Sequence, residues 1–252
     1  MTLFRQVIIG SLTALCLASV AAGQAINDPL KEAQRLTRVA QVAEQQTRYI
    51  DAIKAYETIA LIAKGSPKIA ASAILNAGNI YMRIGKLADA VTSFRASLAL
   101  DASSAAAQNN LGEALGELKQ YQAALKAFQQ AIALDSGYIK ARYNMGVTYD
   151  KLGQLKYAEF VYRILIRDHP DFALAYDGMA VTLSKSGRSR EAIPFHQKAT
   201  TLSPNDPSFH FNFALSYLML GDVKNAQEQQ QQLQAIDPNM AQHLATAIAR
   251  RR

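Results

Sequence analysis

The sequence has no tryptophan and almost no cysteine: Cys16 is the single thiol among 252 residues. A lone cysteine cannot form a disulfide within the chain or build a multi-cysteine zinc site. The four histidines, His169, His196, His210 and His243, include no pair at the four-residue spacing by which one helical face binds a metal. The sequence therefore predicts no metal site and no cofactor.

Signatures of catalysis and of nucleic-acid binding are lacking as well. No glycine-rich phosphate-binding motif occurs. The carboxylates of Glu113 and Glu117 are four residues apart, but they fit a binding surface better than a catalytic pair. The net charge of +7 is dispersed along the chain, whereas duplex binding usually needs a clustered basic face. We expect neither an enzyme nor a nucleic-acid partner.

A 34-residue period dominates residues 71–240, where it occurs five times without insertion. One column of small residues is Ala90, Ala124, Ala158, Ala192 and Ala226, and another, twelve residues earlier, is Gly78, Gly112, Gly146, Ala180 and Ala214. Small residues at these places predict two closely packed helices in each period. An aromatic column follows at Phe94, Phe128 and Tyr162, and its later members are His196 and Gln230. We interpret His196 as a packing substitute.

The predicted ends of the helices repeat too. A residue suited to a left-handed helix end recurs at Gly85, Lys119, Gly153, Gly187 and Gly221. A proline that would stop the second helix recurs at Pro170, Pro204 and Pro238. Each period is therefore predicted to be a helix–turn–helix hairpin, and hairpins of this period stack into a solenoid.

The pattern resembles the tetratricopeptide repeat (TPR), most plainly from Asn144, Met145 and Gly146 to Pro170. The resemblance covers residues 71–240 and implies an all-α fold, a right-handed α-solenoid of stacked helix-turn-helix hairpins. It also implies a protein-interaction scaffold without naming the partner. The five units are 71–104, 105–138, 139–172, 173–206 and 207–240.

Two flanking segments complete the predicted organisation. Residues 26–70 look like a degenerate N-terminal TPR-like cap, in which Asp28 and Pro29 begin a helix and Gly65, Ser66 and Pro67 interrupt the chain. Residues 241–252 are expected to be a C-terminal capping helix with a basic tail. The tail, Arg250, Arg251 and Arg252, is either a solvated helix end or a weak peripheral membrane contact.

Residues 1–25 have the pattern of a secretory signal peptide, with Arg5 as their only charge and an apolar stretch from Val7 to about Ala22. Cleavage could follow Ala22 or Ala25, of which we favour Ala25, and would release the chain into a bacterial periplasm. The alternative is an uncleaved N-terminal anchor in the inner membrane that faces the periplasm, although the apolar stretch is short of the roughly 20 residues of a spanning helix.

In stacked hairpins the first helices line the concave side, which is the expected binding groove. Helical periodicity places fourteen side chains on this side: Asn76, Asn79, Arg83, Asn110, Glu113, Glu117, Lys140, Tyr143, Asn144, Asp150, Lys151, Phe211, Asn212 and Leu215. The asparagines either bind a peptide backbone or reflect helix packing. Phe211 and Leu215 either form an open apolar patch or lie beneath the C-terminal helix.

TPR proteins that bind chaperone C-termini hold the terminal carboxylate with asparagines and basic residues. By this resemblance Asn79, Asn110 and Lys140 match that set, whereas Leu75 and Asn144 stand where basic residues belong. We expect a non-enzymatic adaptor that binds a peptide segment of an envelope protein in its groove. The alternative is a self-assembling, homo-oligomeric protein of the cell envelope.

Overall fold

The structure is a computed structural model that describes residues 28–250. These residues form two compact units, divided between Gln120 and Tyr121. Within the described residues all regular structure is helical. The predicted signal peptide and the residues Arg251 and Arg252 lie outside the described part. No helix between residues 28 and 250 combines the length and the apolar character that crossing a membrane requires.

The first unit contains five helices: α1 (Pro29–Gln45), α2 (Tyr49–Ile62), α3 (Pro67–Arg83), α4 (Leu87–Leu100) and α5 (Ala105–Glu117). Each packs on the next, and α3 also contacts α5. As predicted, Asp28 caps α1: its Oδ1 accepts from the backbone N–H of Leu30 at 3.1 Å. A core of small alanines with Tyr56, Ile59 and Ile80 holds α1, α2 and α3 together.

The second unit contains eight helices: α6 (Tyr121–Leu134), α7 (Ile139–Lys151), α8 (Leu155–Asp168), α9 (Ala173–Lys185), α10 (Ser189–Leu202), α11 (Pro207–Met219), α12 (Val223–Ile236) and α13 (Pro238–Ala249). Here too each helix packs on the next. In addition α7 contacts α9, α9 contacts α11, and α11 contacts α13. These four helices therefore form an inner layer, and α8, α10 and α12 lie outside it.

The predicted turns are confirmed. Positive φ angles occur at Gly85, Gly153, Gly187 and Gly221, and Lys119 adopts φ +60° at the same repeat position. In each turn the backbone folds back in a left-handed conformation that satisfies carbonyls at the end of the first helix. The second helices α8, α10 and α12 end two residues before Pro170, Pro204 and Pro238 respectively, also as predicted.

The structure differs from the prediction at both flanks. The predicted interruption is confirmed at Gly65 and Ser66, which lie between α2 and α3, whereas Pro67 is the first residue of α3 and lengthens that helix by a turn. The last helix begins at Pro238, three residues before the predicted boundary, because Asp237 caps it through the N–H of Met240 at 2.9 Å.

The repeated glycines have a different contact from the one expected. Gly78 and Gly146 each face an aromatic ring of the second helix of their own hairpin. A Cβ atom on Gly78 would lie 2.6 Å from the Phe94 ring, and one on Gly146 would lie 2.8 Å from the Tyr162 ring. Such distances are too short for any substituent. The glycine thus makes room for a fully buried aromatic side chain in its own hairpin.

Candidate functional site

The predicted groove residues lie on the first helices of the hairpins. In the first unit, α3 carries Asn76, Asn79 and Arg83, and α5 carries Asn110, Glu113 and Glu117. In the second unit, α7 carries Lys140, Tyr143, Asn144, Asp150 and Lys151, and α11 carries Phe211, Asn212 and Leu215. The candidate site therefore divides into a part on each unit.

In the first unit the asparagines bind to each other. The side chain of Asn110 donates from Nδ2 to Asn79 Oδ1 at 2.7 Å, which joins α5 to α3. The fully buried Asn109 donates to Asn110 Oδ1 at 3.1 Å and to Glu113 Oε1 at 2.9 Å. Two of the residues that match the carboxylate-binding set are thus engaged with one another.

Arg83 is held by the first hairpin. Its guanidinium donates to Glu44 Oε2 on α1 at 3.1 Å and lies 5.0 Å from the ring centre of Tyr49 on α2. A guanidinium that already contacts a carboxylate and an aromatic face must give up these contacts to bind a ligand, so it is less available for binding. Arg83 therefore links three helices of the first unit.

In the second unit Tyr143 lies on α7, the first helix of the inner layer. Its ring packs on Tyr162 at 6.1 Å and edge-on against Phe172 at 5.8 Å. Burial raises the pKa of Tyr143 to about 12, and the nearby carboxylates of Asp177, Asp150 and Asp206 add to this shift. The phenol therefore keeps its proton, and can donate a hydrogen bond, to a higher pH than an exposed tyrosine would.

Asp150 lies beside Tyr143 and is half-buried. Thr182 Oγ1 donates to its Oδ2 at 2.9 Å, and the hydroxyl of Tyr162 lies 3.4 Å from the same oxygen. Burial raises the pKa of the Asp150 carboxyl, while the ammonium group of Lys185 and these hydrogen bonds oppose the shift. Asp150 thus joins α7 to α8 and α9 beneath the inner surface.

A second buried polar chain lies between α9, α10 and α11. Asp177 Oδ1 faces His196 Nδ1 at 3.2 Å, although the two are not aligned as a linear hydrogen bond. Within the described residues neither atom has another hydrogen-bond partner. His196 Nε2 lies 2.9 Å from Ser216 Oγ, which lies 2.7 Å from Ser184 Oγ. The His196 ring also stacks on Phe213 at 5.3 Å.

This chain has the connectivity of a Ser-His-Asp triad but not its accessibility. Ser216 is 2% exposed and His196 is fully buried, whereas a nucleophilic hydroxyl needs space for a substrate carbonyl. The Ser216 hydroxyl is also occupied by Ser184. The arrangement therefore joins three helices as a structural network.

The asparagine column of the second unit follows the pattern of the first. Asn212 donates from Nδ2 to Asp177 Oδ2 at 2.8 Å, from α11 to the preceding inner helix α9. Asn110 and Asn212 occupy the same repeat position, and each donates to the first helix of the hairpin before it. At these two positions the helix-packing interpretation of the asparagines is the one the structure supports.

The apolar end of the predicted groove is partly covered. Phe211 and Leu215 are half-buried and pack against a core that contains Leu218, Leu244 and Ile248. The last two residues belong to α13, so this helix turns its apolar face onto α11. Met219, at the end of α11, remains largely exposed, at 55%.

Three lysines remain exposed on the inner layer of the second unit. Lys140 and Lys151 lie on α7 and Lys185 on α9. The last two are close enough to Asp150 to lower its pKa by their charge. The candidate site is the inner-layer surface of α7 and α9. Lys151 and Lys185 lie near Asp150, Lys140 lies at the opposite end of α7, and Tyr143, Asp150 and the buried network form the floor of the site.

The sequence interpretation placed Tyr143 and Asp150 correctly on α7 but did not predict the buried polar network. Asp177, Thr182, Ser184, His196 and Ser216 are all buried, and none was among the fourteen predicted residues. A signal was available, since His196 and Ser216 are polar residues at positions where the period predicts burial. No group of three metal-binding side chains is found among residues 28–250.

The comparisons with known proteins identify the repeat. Three family models described as tetratricopeptide repeat match residues 75–139, 115–181 and 175–208, together more than half of the chain. The curated proteins contain no match.

Solved structures of the same fold are numerous. The crystal structure of MamA is 31% identical over 66% of this chain and 95% of that one, with a TM-score of 0.59. PilW, a widely conserved type IV pilus biogenesis factor, is 25% identical over 84% of this chain and 98% of its own, with a TM-score of 0.72. YrrB, a TPR protein with an unusual peptide-binding site, is 21% identical over 70% and 92%, with a TM-score of 0.52. The likeness to YrrB concerns the fold alone.

Proposed function

The chain belongs to the tetratricopeptide repeat family, whose fold supports protein interaction, and from this premise we propose that the inner layer of its second unit binds a peptide segment of a protein partner. The observation that carries this proposal is the set of three exposed lysines, Lys140, Lys151 and Lys185, above a buried polar floor. A segment with acidic side chains or a terminal carboxylate complements that surface.

The floor supports the proposal because its hydrogen bonds hold the inner helices in fixed positions in the absence of a ligand. Asp150 links α7 to α9 through Thr182, and Asp177 links α9 to α11 through Asn212. Cross-links between successive helices keep the spacing of the exposed side chains constant. A preorganised surface loses less conformational entropy on binding.

The location of the partner is part of the proposal. We propose that residues 1–25 direct export, that the mature chain works in the periplasm, and that its client is an envelope protein whose assembly it assists. The likeness to PilW, a pilus biogenesis factor, supports this role. The mass of the purified protein tests the first step: cleavage after Ala25 removes residues 1–25, whereas an intact N-terminus in the membrane fraction favours the anchored form.

A charge-reversal pair tests the binding surface. The first variant reverses the charge of the inner layer of the second unit by three substitutions, Lys140→Glu, Lys151→Glu and Lys185→Glu. The control, Lys126→Glu, Lys156→Glu and Lys198→Glu, makes the same charge change on α6, α8 and α10, where all three lysines are exposed.

We expect affinity purification after crosslinking in cells to recover the same partner with the unmodified chain and the control, and to lose it with the inner-layer variant. Circular dichroism should show equal helicity for all three. Retention of the partner by the inner-layer variant would place the binding surface elsewhere.

A further inference from the structure

The outer helix α8 exposes an aromatic pair. Tyr157 and Phe160 are each 61% exposed, more than any other large apolar side chain described as exposed between residues 28 and 250. They are three residues apart, so they lie on neighbouring parts of one helical face. Tyr157 stacks on Tyr149 of α7 with ring centres 5.4 Å apart, which fixes its orientation. Contiguous apolar surface of this kind marks interaction sites.

An apolar cleft lies on the same outer surface, between α8 and α10. Its volume is about 230 Å³, and its apolar lining is Ile166, Met179, Leu183 and Phe195. This volume is far above the roughly 10–15 Å³ that a cavity needs to hold one water molecule. Since a phenylalanine side chain has seven heavy atoms, the cleft is large enough for one aromatic ring.

The rim of the cleft carries charged side chains whose net charge is zero. Arg188 donates to Glu159 at 2.9 Å and to Glu191 at 2.7 Å, and Arg163 donates to Glu159 at 2.6 Å. Two arginines and two glutamates bound in this way leave no excess charge to attract an ion. Such a rim favours an apolar side chain as the occupant, and it can face an identical rim without net repulsion.

We infer that this surface is an interface between two copies of the chain, in which Phe160 of each copy enters the cleft of the other. In a two-fold interface both copies use the same surface, so this surface must carry both the protruding side chain and the cleft that receives it. Both are present: Phe160 is adjacent in sequence to Glu159 and one turn from Arg163, which line the cleft. This interface is separate from the proposed peptide surface, since Phe160 and the charged rim of the cleft lie on α8, on α10 and in the turn before α10.

Sedimentation across a concentration series tests the interface on protein purified after expression of the full chain. We expect a monomer–dimer equilibrium for the unmodified chain. Phe160→Glu should weaken dimerisation at least about 30-fold, because loss of a central aromatic anchor costs 2 kcal/mol or more at interfaces. Met219→Glu, which changes an exposed apolar residue of α11 outside this surface, is the matched control and should dimerise normally.

A monomer at every concentration would overturn the inference, as would a Phe160→Glu dimer of unchanged affinity or an equal loss in the Met219→Glu control. Disulfide trapping provides a second readout if Phe160→Glu fails to fold. With Cys16 replaced by serine, a mixture of Phe160→Cys and Ile166→Cys chains should form more crosslinked dimer than either variant alone. Equal crosslinking in the mixture and in the single variants would count against the interface.

Discussion

A Cβ atom placed on Gly178 would lie 2.6 Å from the Cε1 and Cζ atoms of Tyr162. The Gly146 backbone approaches the same ring, so two glycines of successive inner helices make room for it. The repeat position of Gly178 is the one that carries Asn76, Asn110, Asn144 and Asn212 in the other units. The asparagine column is therefore interrupted where the ring of Tyr162 leaves no space for a side chain.

We expect Gly178→Ala to destabilise the protein by about 1–2 kcal/mol. Overpacking of a core costs roughly 1–3 kcal/mol, and the better helix propensity of alanine offsets up to about 1 kcal/mol of this. Urea unfolding measures the difference. Gly116→Ala is the control, because a Cβ atom on this α5 glycine meets nothing within 4 Å. The control should be as stable as the unmodified chain or more stable; a stabilised Gly178→Ala would show that the ring of Tyr162 shifts easily.

Substitution of Lys119 tests how much backbone strain the left-handed conformation costs at the repeated turn. Lys119 is the only residue in its column that is not glycine, and its φ is +60°. A side chain in this region costs about 1–2 kcal/mol, while glycine loses more entropy on folding. We expect Lys119→Gly to stabilise by roughly 0.5–1 kcal/mol in thermal unfolding. Lys119→Ala, which keeps the Cβ atom, should gain nothing, and Gly153→Ala should lose about 1 kcal/mol. Equal stability of the Gly and Ala variants at position 119 would refute the strain.

These turns show why so much of the fold could be predicted from the sequence. A helix end depends on local chain geometry, so the 34-residue register located the positive φ of Lys119 although lysine itself gives no such signal. The prolines that follow α8, α10 and α12 act locally in the same way.

The site was less predictable because its contacts join separate helices. Periodicity placed Asn212 on the inner face, but it could not show that the amide turns to Asp177 instead of solvent. His196 was correctly predicted as a packing residue. The contact between its Nδ1 atom and Asp177 could not be predicted, because it depends on how α9 is rotated about its axis relative to α10. The exposed pair Tyr157 and Phe160 on α8 was not predicted as a binding surface, because the repeat pattern predicts binding on the concave side.

His196 and Asp177 should behave as a coupled pair. His196→Phe restores the aromatic residue found at Phe94 and Phe128, but it removes the ring nitrogen that lies 3.2 Å from Asp177 Oδ1 and the one that bonds to Ser216 Oγ. A buried unsatisfied acceptor costs about 1–3 kcal/mol, so we expect a net loss despite the larger apolar surface. In a double-mutant cycle with Asp177→Asn, the coupling energy should be about 1 kcal/mol or more. His243→Phe, at an exposed histidine of α13, is the control. Additive effects would mean that the two side chains do not interact.

Asp150 should make stability depend on pH in the direction opposite to that of a salt-bridged carboxylate. Burial raises its pKa in the folded chain above the ordinary value of about 3.9. The stabilising contribution of the protonated form is therefore complete below about pH 3.9 and is lost as the pH rises through the folded-state pKa. Asp150→Asn cannot ionise and keeps an oxygen that can accept from Thr182, so its advantage over the unmodified chain should grow between pH 3 and pH 7. Urea midpoints across this range measure the trend, with Asp171→Asn, at an exposed aspartate, as the control. A difference that shrinks with rising pH would show that the hydrogen bonds of Asp150 and the charge of Lys185 outweigh the cost of its burial.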